Sequence, residues 1–157
     1  MNCNWLRGCL PLILAIIVGC TSDDKEISKS FKTPLKLGSE WTIYERTEKK
    51  IIYINQRYQS TDNGQRRFNM VRRANDITSH KEFVKASKSD PNFKDLDLNT
   101  YSYMRTDELV DCNSGAWITE RHYLVDRNGV DMTEIDGRDL DDNVYRITPQ
   151  IWDIICK

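Results

Sequence analysis

Apolar and polar positions along the chain fall into three successive regimes. An apolar run from Leu10 to Gly19 comes first, a polar lysine-rich stretch follows, and from Glu40 short apolar runs alternate with turn residues. In the third regime "WTIYER" (41–46) alternates, with Trp41 and Ile43 on one face, and "IIYI" (51–54) is a continuous β-branched and aromatic run. The two predict a hairpin turning around Glu48 and Lys49. "DNG" at 62–64 is a strong turn signal, because Asn and Gly tolerate positive φ. The "QRRFNMV" that follows predicts a half-buried strand, with Phe68 and Met70 inward and Arg67 and Asn69 outward. Two longer strands are predicted in "YSYMRTDELVDC" (101–112) and "AWITERHYLVD" (116–126). In the first, Tyr101 and Tyr103 have opposite parity to Val110 and Cys112, which predicts a bulge or twist between them. Asn128-Gly129 makes another turn, and "VYRI" (144–147) a last short strand. Residues 74–100 are the least regular. Lys81 to Lys88 suits a short helix, with Phe83 and Val84 inward, Ser79 as cap and Asp90-Pro91 ending it, and a loop fits equally well. The closing "TPQIWDIICK" predicts a helix, with Thr148 at the N-cap, Pro149 first, and Ile151, Ile154 and Ile155 on one stripe. Together these elements make an α+β fold, an antiparallel β-sheet of about five to six strands with a C-terminal helix packed on it.

The first regime has a different logic. Arg7 is the only charge in the first twenty-two residues, and the apolar run behind it is too short for a transmembrane span, which needs about 20 residues. Ile17, Val18 and Gly19 stand before Cys20, and polarity begins at once after it. This pattern resembles the bacterial lipobox, whose cysteine receives a diacylglyceryl thioether and becomes residue one after cleavage. Residues 1–19 are therefore expected to be a lipoprotein signal peptide and Cys20 the lipidation site, with the membrane as one partner through the lipid anchor. An ordinary secretory signal cut near Gly19, or a buried strand, are the competing readings. Three acyl chains, at about 0.8 kcal/mol per buried methylene, would hold the protein on the bilayer essentially permanently. Thr21 rather than aspartate after the cysteine favours the outer membrane. Residues 20–38, polar and without sustained period, are expected to form a flexible tether, leaving 39–157 as a single domain.

Composition adds less than the order of the charges does. The formal net charge is −1, so nothing demands nucleic acid. From Tyr44 to Lys88, however, eleven basic residues face five acidic ones, and from Asp90 to Asp142 five basic residues face fourteen acidic. If the two halves lie on different faces, the field could steer a partner or favour head-to-tail self-association. An interleaved sheet would cancel it.

Cys3 and Cys9 would leave with the signal and Cys20 would be lipidated, so Cys112 and Cys156 are left to pair. In an oxidising envelope the two read as a disulfide joining the terminal helix to the strand that ends at Cys112, with two inert buried thiols as the alternative.

The order of Trp41 opening a strand, Tyr53-Ile54-Asn55, Arg67-Phe68, Tyr101-Ser102, Asp111-Cys112, Tyr123, Gly129, Ile147-Thr148-Pro149 and a terminal Ile155-Cys156 resembles the surface-adhesin protein E family. The resemblance spans roughly residues 40–157. It departs at Asn55, where an aspartate is common, at Phe68, where a tryptophan is common, and in a longer 76–98 segment. It implies an antiparallel sheet with a bridged C-terminal helix on an outer-membrane lipoprotein, and a domain that binds host matrix or plasma proteins and can form a homodimer.

Catalytic chemistry finds little footing. His80 and His122 sit in no triad or metal spacing, and no G-x-S-x-G turn, phosphate loop or H-E-x-x-H occurs, so no enzyme and no cofactor is expected. Asp126, Asp131, Asp136, Asp139, Asp141 and Asp142 cluster without the order of an EF-hand, and are read as solvated turns rather than a metal site. Arg66, Arg67, Arg72 and Arg73 are candidate contacts for a heparin- or matrix-like ligand, although their parity splits them into two pairs. Lys157, a C-terminal lysine, is the kind of ligand that kringle domains recognise. The resulting expectation is a non-enzymatic, outer-membrane-anchored lipoprotein that binds a protein partner in the manner of an adhesin. A periplasmic inhibitor, immunity or envelope-partner protein is the alternative.

Overall fold

The computed structural model describes residues 22–61, 63–140 and 144–157, with the side chains of 139 and 140 excepted. The expected signal peptide and Cys20 lie outside the described residues. The chain begins with helix α1 (Ser22–Lys32) and enters the sheet through β1 (Trp41–Arg46) and β2 (Lys50–Asn55). A two-residue β3 (Gln59–Ser60) and the ten-residue β4 (Gln65–Ala74) follow, then helix α2 (Ile77–Ser87) and two 3-10 turns (Pro91–Phe93 and Leu98–Thr100). The long strands β5 (Tyr101–Asp111) and β6 (Ala116–Asp126) lead to β7 (Asp131–Asp136), the short helix α3 (Gly137–Leu140) and a two-residue β8 (Tyr145–Arg146). Helix α4 (Pro149–Ile151) then runs into a π-helical turn (Trp152–Cys156) that ends the chain.

All strands join one antiparallel sheet in the order β1-β2-β4-β5-β6-β7, with β3 beside β4 and β8 beside β6. The α+β architecture and its packed terminal helix are as the pattern predicts, with six principal strands and two short additions. The hairpin pairs Arg46 with Ile51 around Glu48 and Lys49. Gly64 and Gly129 take φ of 74° and 85°, the left-handed region that Asn-Gly turns require. The parity change in β5 is resolved by a register shift at Tyr101/Tyr103, where Ser102 is the extra residue, and a second shift, at Asp107/Glu108, puts the extra residue Glu120 in β6.

Register places Phe68, Met70, Met104, Val110 and Leu124 on one face of the sheet, and helices cover that face at both ends. At one end Ile151 and Ile155 of the terminal helix, both fully buried, pack on Ile52, Ile54, Phe68, Met70 and Val110. Each such isoleucine contributes about 1.5–3 kcal/mol. Thr148 caps the helix by accepting the Ile151 N–H at 3.2 Å, and the Cys112–Cys156 disulfide ties its last turn to the end of β5. At the other end Ile27 of α1 and Val84 of α2 pack with Phe93, Leu98, Tyr101 and Leu124.

Four expectations need correction. The 20–38 segment is not a tether over Ser22–Lys32, where it forms α1 and docks on the domain. Ile27 and Ser30 are buried there, Ser30 Oγ donates to the Asn99 carbonyl at 3.0 Å, and Asp24 pairs with Lys81 at 2.9 Å. Asp23 and Asp24 in its first turn and Lys29 and Lys32 in its last favour the helix through its dipole. Helix α2 starts four residues earlier than its pattern suggests. Asp76 caps it by accepting the Thr78 and Ser79 N–H groups at 2.8 and 2.9 Å, while Ser79 donates back to the same carboxylate. Residues 131–136, read as part of an acidic turn cluster, form strand β7. The charge-sorted halves are not interleaved, since the strands lie across the sheet nearly in chain order.

Candidate binding surfaces

The four arginines of β4 are dispersed by the strand that carries them. Arg66 donates to the Ile155 carbonyl and lies over the Tyr58 ring, 4.3 Å from its centroid, so it holds the terminal helix down. Arg67 is on the opposite face, forked onto Glu120 at 2.9 and 3.1 Å. Glu120 can reach it because it is the extra residue of the β6 bulge. Arg73 donates to the carbonyls of Phe31 and Thr33, the latter at 2.9 Å, and fixes the chain leaving α1. Burial lowers its pKa, and its Nε finds no partner among the described residues. Arg72 is exposed and appears in no hydrogen bond or ion pair among the described residues. Lys157 stands 68% exposed with Nζ 2.5 Å from Asp153, and its backbone N–H donates to the Trp152 carbonyl, so the terminal lysine is already engaged.

The uncovered sheet face carries a cross-strand polar ladder. Asn69 donates to Asp107 at 2.6 Å, Tyr123 donates to the other oxygen of Asp107 at 3.1 Å, Arg105 pairs with Asp131 at 2.9 Å, and Arg121 pairs with Glu134 at 3.1 Å. The two ion pairs, Arg105–Asp131 and Arg121–Glu134, are solvent-exposed and contribute little stability, but they set a fixed pattern of charge. The acidic cluster is consumed locally: Asp126 accepts the N–H groups of Asn128 and Val130 to shape its turn, Asp131 faces Arg105, and Asp136 faces Arg138. Asp141, Asp142 and the side chain of Asp139 lie outside the described residues. Among the described residues no group of three His, Cys, Asp or Glu is placed to hold a metal ion.

Two buried titratable groups escaped the sequence pattern. Glu108 is 3% exposed on the covered face and accepts from Thr106 (2.5 Å), the Trp117 indole N–H (2.8 Å) and Thr119 (2.9 Å). Burial raises its pKa against those three donors, which favour the ionised form. His80, considered above as a general base, faces the interior of α2. It stacks on Tyr101 at 5.4 Å and meets Phe31 at 5.6 Å. Burial, then the nearby Arg73 charge, hold its pKa at about 4, so it is a neutral core residue at physiological pH. His122 lies on β6 opposite Thr106 and Ile135.

One concavity combines apolar walls with several cations. It lies between α2 and the ends of β2, β4 and β5, lined by Phe83, Ala86, Tyr101 and Met104 together with Lys49, Lys50, Arg72 and Arg73. Nothing linear in the sequence links Lys49 to Phe83. The α2 helix brings them together by folding back over the strand it follows. No family model, curated protein or solved structure matches this chain. The functional reading therefore rests on the residues and their geometry.

Proposed function

We propose that this is an outer-membrane-anchored lipoprotein, tethered through Cys20, whose non-enzymatic domain binds a protein partner, with host matrix or plasma proteins as the ligand class in the adhesin manner. The observation that carries this reading is the Cys112–Cys156 bridge, which fits a domain matured in an oxidising envelope. It agrees with the export-type N-terminus and with the resemblance to the protein E family. The unequal charge of the two sheet halves supports partner binding, because a fixed field of that kind orients and accelerates encounter.

A second reading, a periplasmic inhibitor, immunity or envelope-partner protein, is favoured by the docking of α1. Thr21 alone separates Cys20 from Ser22, so the lipidated residue would lie within about 7 Å of the docked helix. A domain held that close to the bilayer suits a partner at the membrane better than one beyond the cell surface.

Protease accessibility of the tagged native protein on intact and permeabilised cells separates the two, with Cys20→Ala as the anchoring control. Digestion on intact cells, with binding of the pure protein to immobilised matrix proteins, supports the adhesin reading. Protection until permeabilisation, with no matrix binding, overturns it in favour of the envelope partner.

A further inference from the structure

The cleft between α2 and the sheet has a volume of about 400 Å³, within the range of small-ligand sites. Its walls are apolar: the Phe83 ring stacks on Tyr101 with centroids 4.7 Å apart, and Met104 and Ala86 extend the surface. Four cations line it, Lys49, Lys50, Arg72 and Arg73. Lys50 pairs with Glu45 at 3.4 Å and Arg73 is bonded to the Phe31 and Thr33 carbonyls, whereas Lys49 and Arg72 feel Asp76 and Glu108 only through space and make no ion-pair contact among the described residues; Glu82 is the one acidic residue of the lining. Arg72 lies close enough to act electrostatically on both the Tyr101 phenol and the Glu108 carboxylate, which places its charge over the sheet beside the apolar walls. An apolar slot that ends at two cations with no carboxylate in direct contact is complementary to a molecule with a hydrocarbon tail and a single anionic head.

We propose that this cleft binds a free fatty acid, its tail against Phe83, Tyr101, Met104 and Ala86 and its carboxylate at Arg72 and Lys49. The assignment is independent of the anchor and of the protein partner proposed above. The head meets Arg72 as a charge-assisted pair beside low-dielectric walls, where such pairs are stronger than in open water. The tail removes from solvent the half-buried Phe83 and Met104 side chains and the exposed Ala86 methyl.

The test uses the full-length protein in phosphatidylcholine nanodiscs and a photoreactive diazirine fatty acid, with labelled peptides mapped by mass spectrometry. Labelling is expected within 83–86 and 101–104, with displacement by laurate and not by dodecanol. Arg72→Gln is expected to weaken binding about tenfold through loss of the charged contact. Ala86→Trp, at an exposed helix position, is expected to fill the slot and abolish labelling while the melting temperature stays near that of the parent. Equal displacement by dodecanol, labelling that survives Ala86→Trp, or labels spread outside the cleft would each overturn the proposal.

Discussion

Glu108 and His80 are buried titratable groups that respond to pH in opposite directions. The pKa of His80 is depressed from 6.5 to about 4, so the unfolded chain binds the proton first, and stability falls as pH drops from about 6.5 towards 4. The pKa of Glu108 is raised, so the native state keeps a proton that the unfolded chain has lost, and stability falls as pH rises through the folded value. The two effects partly cancel in the parent. We expect His80→Leu to flatten the acid-side loss in melting temperature between pH 7 and pH 4.5, and Glu108→Gln to steepen it. Glu108→Gln should not lower stability at pH 7, because the amide oxygen still accepts from Trp117 and Thr119, its NH2 can donate to the Thr106 hydroxyl, and no charge is buried. Melts across that range check both expectations, and an unchanged slope in Glu108→Gln would mean that Glu108 does not titrate there. Neither role was legible in the sequence. Thr106, Glu108, Trp117 and Thr119 become neighbours only through the β5–β6 register, and a lone histidine in "TSHKEF" carries no sign of the Tyr101 ring that will cover it.

At the scale of elements, legibility followed the density of apolar signal. The hairpin, the two long strands and the terminal helix were readable because each carries several apolar residues at one period. Helix α1 was not, since "SDDKEISKSFK" offers only Ile27 and Phe31 at an i, i+4 spacing amid charges, and tertiary packing decides the matter. Strand β7 was hidden in the same way, its Met132 and Ile135 masked by three acidic residues. The terminal turn was read as a regular helix and instead closes as a π-turn, with Ile151 and Ile155 buried and Cys156 at Cys112. That turn is short, so its position depends on the bridge. Closing a loop with a sequence separation of 44 stabilises the fold by roughly 4 kcal/mol in the chain-entropy model. We expect Cys156→Ala, or reduction, to lower the melting temperature by well over 10 °C and to expose Ile151 and Ile155, read as lost hydrogen-exchange protection confined first to 147–157. An unchanged melt would mean that the isoleucines and the Thr148 cap hold the helix without the bridge.

The whole molecule is organised by two facts, the order of the strands and the docking of α1. The first turns an asymmetry along the chain into an asymmetry across the sheet. The sign of each half was plain in the sequence, but cancellation or separation depended on a topology that composition does not encode. The second fact sets how far the domain can stand from its proposed anchor. With α1 docked through Ile27, Ser30 and the ion pairs of Asp23 and Asp24, almost no free chain remains between Cys20 and the folded body. Undocking α1 would release residues 22–38 as a chain of seventeen residues, whose root-mean-square span is about 23 Å at 5–6 Å × √n. Ile27→Asp places a charge in the cluster with Val84, Leu98 and Leu124 and should undock the helix while leaving the disulfide-linked end of the core intact. Neutron reflectometry of the lipidated protein on a supported bilayer is expected to show the parent as a layer directly on the head groups. The Ile27→Asp layer should lie farther out by an amount on the order of 20 Å. Hydrogen exchange in the same variant should rise in 22–32 and stay low in β5 and β6. Equal distances in the two proteins would mean that α1 does not govern the reach of the domain. The argument for a membrane-proximal partner would then fail with it.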